Sequence, residues 1–128
     1  MNITHWPTEI KLAKDKRSLA VTFAKGDSSH DSSDDGQIMS LPAELLRVES
    51  PSAEVQGHGA DQKTTPDGKQ NVAITAIEAV GNYAIRIIFD DGHETGIFSW
   101  DLLHDYGVRQ DQLMADYLAR LEEAGLSR

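Results

Sequence analysis

Four side chains that can hold or move charge crowd one short stretch: Asp90, Asp91, His93 and Glu94. An imidazole beside carboxylates has its charged form favoured and titrates near neutrality. That chemistry suits a general base or a metal ligand. It equally suits a surface Asp–His pair that pins a turn, and one His with carboxylates at a hairpin tip is more commonly of this second kind. A second imidazole, His58, stands between Gly57 and Gly59. Flanking glycines let backbone approach a ligand closely, and they also mark an ordinary flexible loop. The candidate metal ligands are therefore His93, His58 and Asp90.

Patterns of a complete catalytic site are missing. The step His-x-Asp or His-x-Glu of a nonhaem iron triad does not occur, nor does a Gly-rich phosphate loop, HExxH or GxSxG. Ser50, Ser52 and Ser99 carry no signature of an activated nucleophile. With no cysteine in the chain, thiolate catalysis and cysteine ligation of zinc or iron–sulfur clusters are excluded. A chain without an active site of its own is expected.

The elements that must position these residues are legible in part. Ile10 and Leu12, then Leu19, Val21 and Phe23, alternate with polar residues around a polar KDKRS turn. They predict a first hairpin with one buried face, with Trp6-Pro7 opening the ordered structure and the Trp6 ring packed on the sheet. Gly26 to Gln37 is an acidic, turn-forming loop, and its His30 reads as solvated rather than ligating. Pro42 at a first helical position predicts a short helix over Ala43 to Val48. Ser50-Pro51 opens a second turn in the same way, and Gln56 to Gln70 is another polar connection.

A meander follows. Val72, Ile74 and Ile77 form a strand, Gly81-Asn82 a turn, and Tyr83, Ile85, Ile87 and Phe89 alternate on one face. Asp91-Gly92 predicts a two-residue type I′ hairpin. This register sets Tyr83 opposite Trp100, Ile85 opposite Phe98, Ile87 opposite Gly96, and Asp90 facing His93. Leu113, Met114, Tyr117, Leu118 and Leu121 form an apolar stripe on a helix over Val108 to Gly125, with Gly125 as its C-terminal stop. The whole is expected to be one α+β domain over residues 1–128: an antiparallel sheet of hairpins, short helical turns and a C-terminal amphipathic helix. Its core spans about residues 8–106.

Twelve basic against 21 acidic residues give a formal charge of −9. That charge disfavours nucleic acid and anionic membrane surfaces as partners. No apolar run approaches the ~20 residues that span a bilayer, and the N-terminus lacks a signal-peptide pattern. A cytoplasmic protein is expected, in keeping with the lack of disulfides.

Two long segments resemble a known family. LPAELLR, SPSAEVQGHG, and VAITAIEAVGNYAIRIIFDDGHETGIFSW with the following DLL are similar to the γ-butyrobetaine hydroxylase-like N-terminal domain, over roughly residues 8 to 106. The resemblance implies a small module that, in the hydroxylase, holds zinc through three cysteines and one histidine. Those positions fall here on Ser50, Ser52, Val55 and His93. Two hydroxyls and a valine do not replace three thiolates, so structural zinc is not expected. Proximity of the SPSAEV segment to His93 is. The hydroxylase's iron and 2-oxoglutarate site belongs to another domain, so its activity is not implied. The module is also similar to a tail on some P-loop ATPases of iron–sulfur cluster assembly.

The primary functional expectation is thus a noncatalytic accessory module in iron or iron–sulfur metabolism. It would dock on a partner protein through a surface including Arg47, Ser50, Pro51, Ser52, Glu54, His58 and Trp100. The alternative is a labile iron-binding protein using His93, His58 and nearby carboxylates, without a confident cofactor.

Overall fold

The computed structural model describes residues 6–23, 37–51 and 65–128. Strands β1 (Pro7–Leu12), β2 (Ser18–Phe23) and β3 (Gln37–Pro42) are followed by helix α1 (Ala43–Val48). Strands β4 (Ile74–Val80), β5 (Ala84–Phe89) and β6 (Ile97–Ser99) then lead into helix α2 (Trp100–Ala124). The fold is α+β, and among the described residues the strands form two antiparallel three-stranded sheets, β1-β2-β3 and β4-β5-β6.

The first hairpin follows its alternation. Ile10 lies opposite Val21 and Leu12 opposite Leu19, with Leu19, Val21 and Phe23 buried. Trp6 departs from expectation, with 46% of its surface open rather than packed on the sheet. Strand β3 is an addition to the sequence reading. Its Met39 and Leu41 turn inward while Ile38 and Ser40 turn out, a period-2 pattern too short to be seen beside the polar run before it. Helix α1 forms over the expected residues, with Pro42 at its N-terminal boundary.

The second sheet keeps the expected central register, Ile85 opposite Phe98. Its hairpin turn differs. Type I′ needs positive φ at two residues, but only Gly92 has it, at 91°. Phe89 N donates to His93 O at 2.9 Å and Gly92 N to Phe89 O at 3.0 Å. This is a three-residue turn with a glycine bulge. The extra residue sets His93 rather than Glu94 against Phe89. One step of register moves a side chain to the opposite face, so His93 is sent inward while Asp90 stays exposed.

Helix α2 begins at Trp100, eight positions earlier than the stripe predicted, because Ser99 caps it by accepting from Leu102 N at 3.2 Å. It runs through Gly107, where the missing side chain is what the packing requires. A Cβ there would stand 2.5 Å from Met39 Sδ and 3.0 Å from Met39 Cβ. At the C-terminus Gly125 adopts φ 72°. Leu126 N donates to Leu121 O and Gly125 N to Glu122 O, the double bond pattern of a Schellman stop. Leu113, Tyr117 and Leu121 of the predicted stripe are buried and Met114 is partly so, whereas Leu118 is exposed. Both sheets, α1 and the first half of α2 share one apolar core.

Candidate functional site

Helix α1 and the β5–β6 hairpin converge on Ser50 and His93. Ser50 Oγ lies 2.9 Å from His93 Nε2, a hydrogen bond whose donor is set by the imidazole tautomer. Ser50 is fully buried and His93 is 5% exposed. Gly96 makes room for the pair, since a Cβ on it would overlap Ser50 Oγ. The His93 ring also packs against Phe89, with centroids 6.0 Å apart. The expected approach of the Ser50 end of its segment to His93 is therefore present.

A charged cluster backs this pair. Asp91 Oδ1 accepts from His93 N at 3.0 Å, which fixes the turn. Asp91 Oδ2 accepts from Arg47 Nε at 2.8 Å and from Lys69 Nζ at 2.6 Å. Partial burial pushes the Asp91 carboxyl up, but the Lys69 ammonium, the His93 N–H and the Arg47 guanidinium outweigh it and bring it down to about 2. Arg47 NH1 is buried with no partner among the described residues.

Helix α2 holds the neighbouring chain in place. Tyr106 donates its hydroxyl to Glu49 O at 2.5 Å, and Arg120 NH2 donates to the Glu49 carboxylate at 3.1 Å. Tyr117 donates to Pro66 O at 2.5 Å. Arg128 makes a two-pronged pair with Glu44. Burial lifts the Tyr106 hydroxyl well above its ordinary value and pushes that of Tyr117 up to about 12.

The structure sorts the expected site residues. Arg47, Ser50 and His93 come together, and Pro51 lies half-buried beside them. Ser50 was expected on a docking surface and is instead sealed inside. Trp100 is likewise corrected. It is only 7% exposed, with Nε1 donating to Asn82 O at 2.9 Å, because it opens the buried stripe of α2. Asp90 is exposed, its backbone N donating to Ala73 O, and it stands away from the inward-facing position of the His93 ring. Ser52, Glu54, Val55 and His58 lie outside the described residues, as does His30. Lys69, Glu49 and Tyr106 were missed, for nothing in their local sequence marks them, and Tyr117 was read as part of the apolar stripe without its hydroxyl contact. Their partners are 22 to 71 residues away.

The donor set does not fit the zinc that the resemblance brings to mind. Ser50 offers a neutral hydroxyl, and that hydroxyl already engages the His93 ring at Nε2. Among the described residues, no group of three His, Cys, Asp or Glu side chains is placed to hold a metal ion. Also among them, no helix is long and apolar enough to cross a membrane.

A module with two small antiparallel sheets, a long C-terminal helix and a buried Ser–His contact defines a compact α+β class. Residues 10–104 match the family model described as gamma-butyrobetaine hydroxylase-like, N-terminal, and the chain belongs to that family. One similar solved structure is an NMR solution structure at 44% identity, covering 98% of this chain and 91% of its own, with a TM-score of 0.77. Another NMR solution structure is 46% identical, covers 98% and 86%, and has a TM-score of 0.76. A third is the 1.93 Å crystal structure of a DUF971 family protein of unknown function from Acidithiobacillus ferrooxidans. It is 34% identical over 76% of this chain and 86% of its own, with a TM-score of 0.54. No curated protein matches the chain.

Proposed function

We propose that this chain is a noncatalytic interaction module that docks on a partner protein through the face around Arg47, Lys69, Asp91 and Pro51. The observation that carries the reading is the sealing of Ser50 and His93 against each other. The two groups best suited to nucleophile and base work are spent on holding α1 to the hairpin. What remains near the surface is a charge cluster fixed from three segments, with side chains of Arg47, Lys69 and Asp91 13%, 22% and 20% exposed. Interfaces favour anchored Arg of this kind, because its geometry is set before binding. A setting in iron or iron–sulfur metabolism rests on the family resemblance alone, and a cytoplasmic one on the absence of cysteine. The iron-binding alternative finds no favouring observation at His93.

The test is affinity capture from lysate of the source cells with wild type, Lys69→Glu and Arg47→Gln, each checked for native circular dichroism. A partner held by wild type and released by both folded variants supports the reading. A partner held equally by all three, or none held by wild type, sinks it.

A further inference from the structure

Among the described residues, strands β1, β3, β4 and β6 lie at sheet edges. Natural edges are guarded by Pro, Lys, bulges, shortness or cover. Strand β1 carries Pro7, Lys11 and a register shift. On β3, Ser40 O accepts from Gln110 Nε2 at 3.0 Å. Strand β6 has three residues and runs directly into α2. Strand β4 is different. Its seven residues, ITAIEAV, contain no Pro and no Lys, and their one charge, Glu78, is paired with Arg86 of β5. Its register shift and its one backbone bond to the neighbouring hairpin, Ile74 N to Lys16 O at 2.7 Å, are confined to its first end.

Ladder parity fixes which groups face outward. Trp100 N donates to Tyr83 O, so odd-numbered residues of β5 exchange bonds with β6. The even-numbered Ala84, Arg86 and Ile88 then exchange bonds with Val80, Glu78 and Ala76 of β4. The backbone N–H and C=O of Ile77 and Ala79 are left pointing away from β5, with no partner among the described residues. Thr75, Ala76, Glu78 and Ala79 are exposed.

We propose that the β4 edge is a docking site for an extended segment of a partner protein with alternating apolar and basic side chains. Strand addition satisfies the outward backbone groups, and alternate side chains supply specificity. An apolar residue covers half-buried Ile77. A cation sits on the opposite face beside Glu78, where Arg86 uses Nε and NH2 on the single oxygen Oε1. Oε2 is left for a second cation, and the charge of −9 favours a basic partner. A second copy of this chain fits less well. Pairing β4 with itself about Ile77 brings two Glu78 onto one face of the joint sheet, between two chains of charge −9.

The test is an NMR titration of the ¹⁵N-labelled full chain with the blocked heptapeptide KVKVTVK. Controls carry glutamate for lysine, or proline at the central valine. Saturable shifts centred on β4, with new exchange protection of the Ile77 and Ala79 amides, are expected. Both controls should bind at least about tenfold more weakly, the factor that ~1.4 kcal/mol supplies. Glu78→Gln should weaken the basic peptide severalfold. Ala79→Pro removes only an outward donor, which edge strands tolerate, and should abolish binding while the spectrum stays dispersed. Shifts absent from β4, or equal affinity for the acidic peptide, overturn the proposal. So does a dimer in sedimentation velocity whose β4 amides are protected without peptide, which would make a second copy the occupant.

Discussion

Ser50 Oγ and His93 Nε2 meet at 2.9 Å inside the protein, joining the end of α1 to a hairpin 43 residues away. Both side chains are buried, so this bond stands in for one to water. Removing one partner of a buried hydrogen bond costs about 1–3 kcal/mol, more than the bond itself contributes net. The first prediction follows from that asymmetry. Ser50→Ala and His93→Ala should each lower the unfolding free energy by at least about 1–3 kcal/mol. The double variant should lose less than the sum of the two, as interacting pairs do. Urea unfolding of the four proteins measures the coupling, and strict additivity would show that the contact carries no energy.

Gly96 gives the pair its space. Gly96→Ala forces a methyl onto Ser50 Oγ and to 3.2 Å from Phe98 Cε1. A destabilisation of about 1–3 kcal/mol is expected, the usual range for overpacking. Placing Gly96→Ala in a Ser50→Gly background should reduce that penalty. An unchanged penalty would assign the strain to Phe98 instead.

Helix α2 supplies an opposed case. Replacing a helical glycine by alanine ordinarily stabilises by ~1 kcal/mol. At Gly107 the new methyl meets three atoms of Met39, including Cβ, which a rotamer change does not move away. Overpacking at ~1–3 kcal/mol outweighs the propensity gain, so Gly107→Ala should lower the melting temperature. Met39→Ala is itself a large-to-small core change that costs stability, but Gly107→Ala should cost less in that background than in wild type, because Sδ and Cγ are gone.

Acid should release Asp91. Its carboxyl sits at about 2 in the folded protein against an ordinary 3.8. A depressed folded value stabilises fully above the unfolded one and loses that contribution as pH falls through the folded value. The melting-temperature gap between wild type and Asp91→Asn should therefore be constant above about pH 5 and shrink toward pH 2. A gap independent of pH across that window would mean the Lys69 and Arg47 contacts do not act on Asp91.

Alkali should act through Tyr117. Its hydroxyl is pushed up to about 12 from 10.0 by burial, with nearby Glu44 and Asp67 adding to the shift. A raised folded value means that stability is intact below pH 10 and falls as pH rises toward 12. Tyr117→Phe gives up the bond to Pro66 O and should start less stable, but it should decline less steeply between pH 10 and 12. Parallel decline in denaturant titrations at successive pH values would remove Tyr117 from the explanation.

Local pattern alone determined much of this protein. Alternation placed the first hairpin, Pro42 placed α1, and Gly125 placed the end of α2, because each depends on residues a few positions apart. The Ile85–Phe98 pairing was legible for the same reason. Only tertiary structure decided the rest. The bulge at Gly92 turned His93 inward, a choice between faces that hinges on one residue of register. Trp100 went into the core because Ser99 caps a helix where the aromatic run reads as strand. Lys69 and Glu49 gained their roles from partners 22 to 71 residues distant. Such contacts form only when packing of the shared core brings the segments together, and no local propensity encodes them.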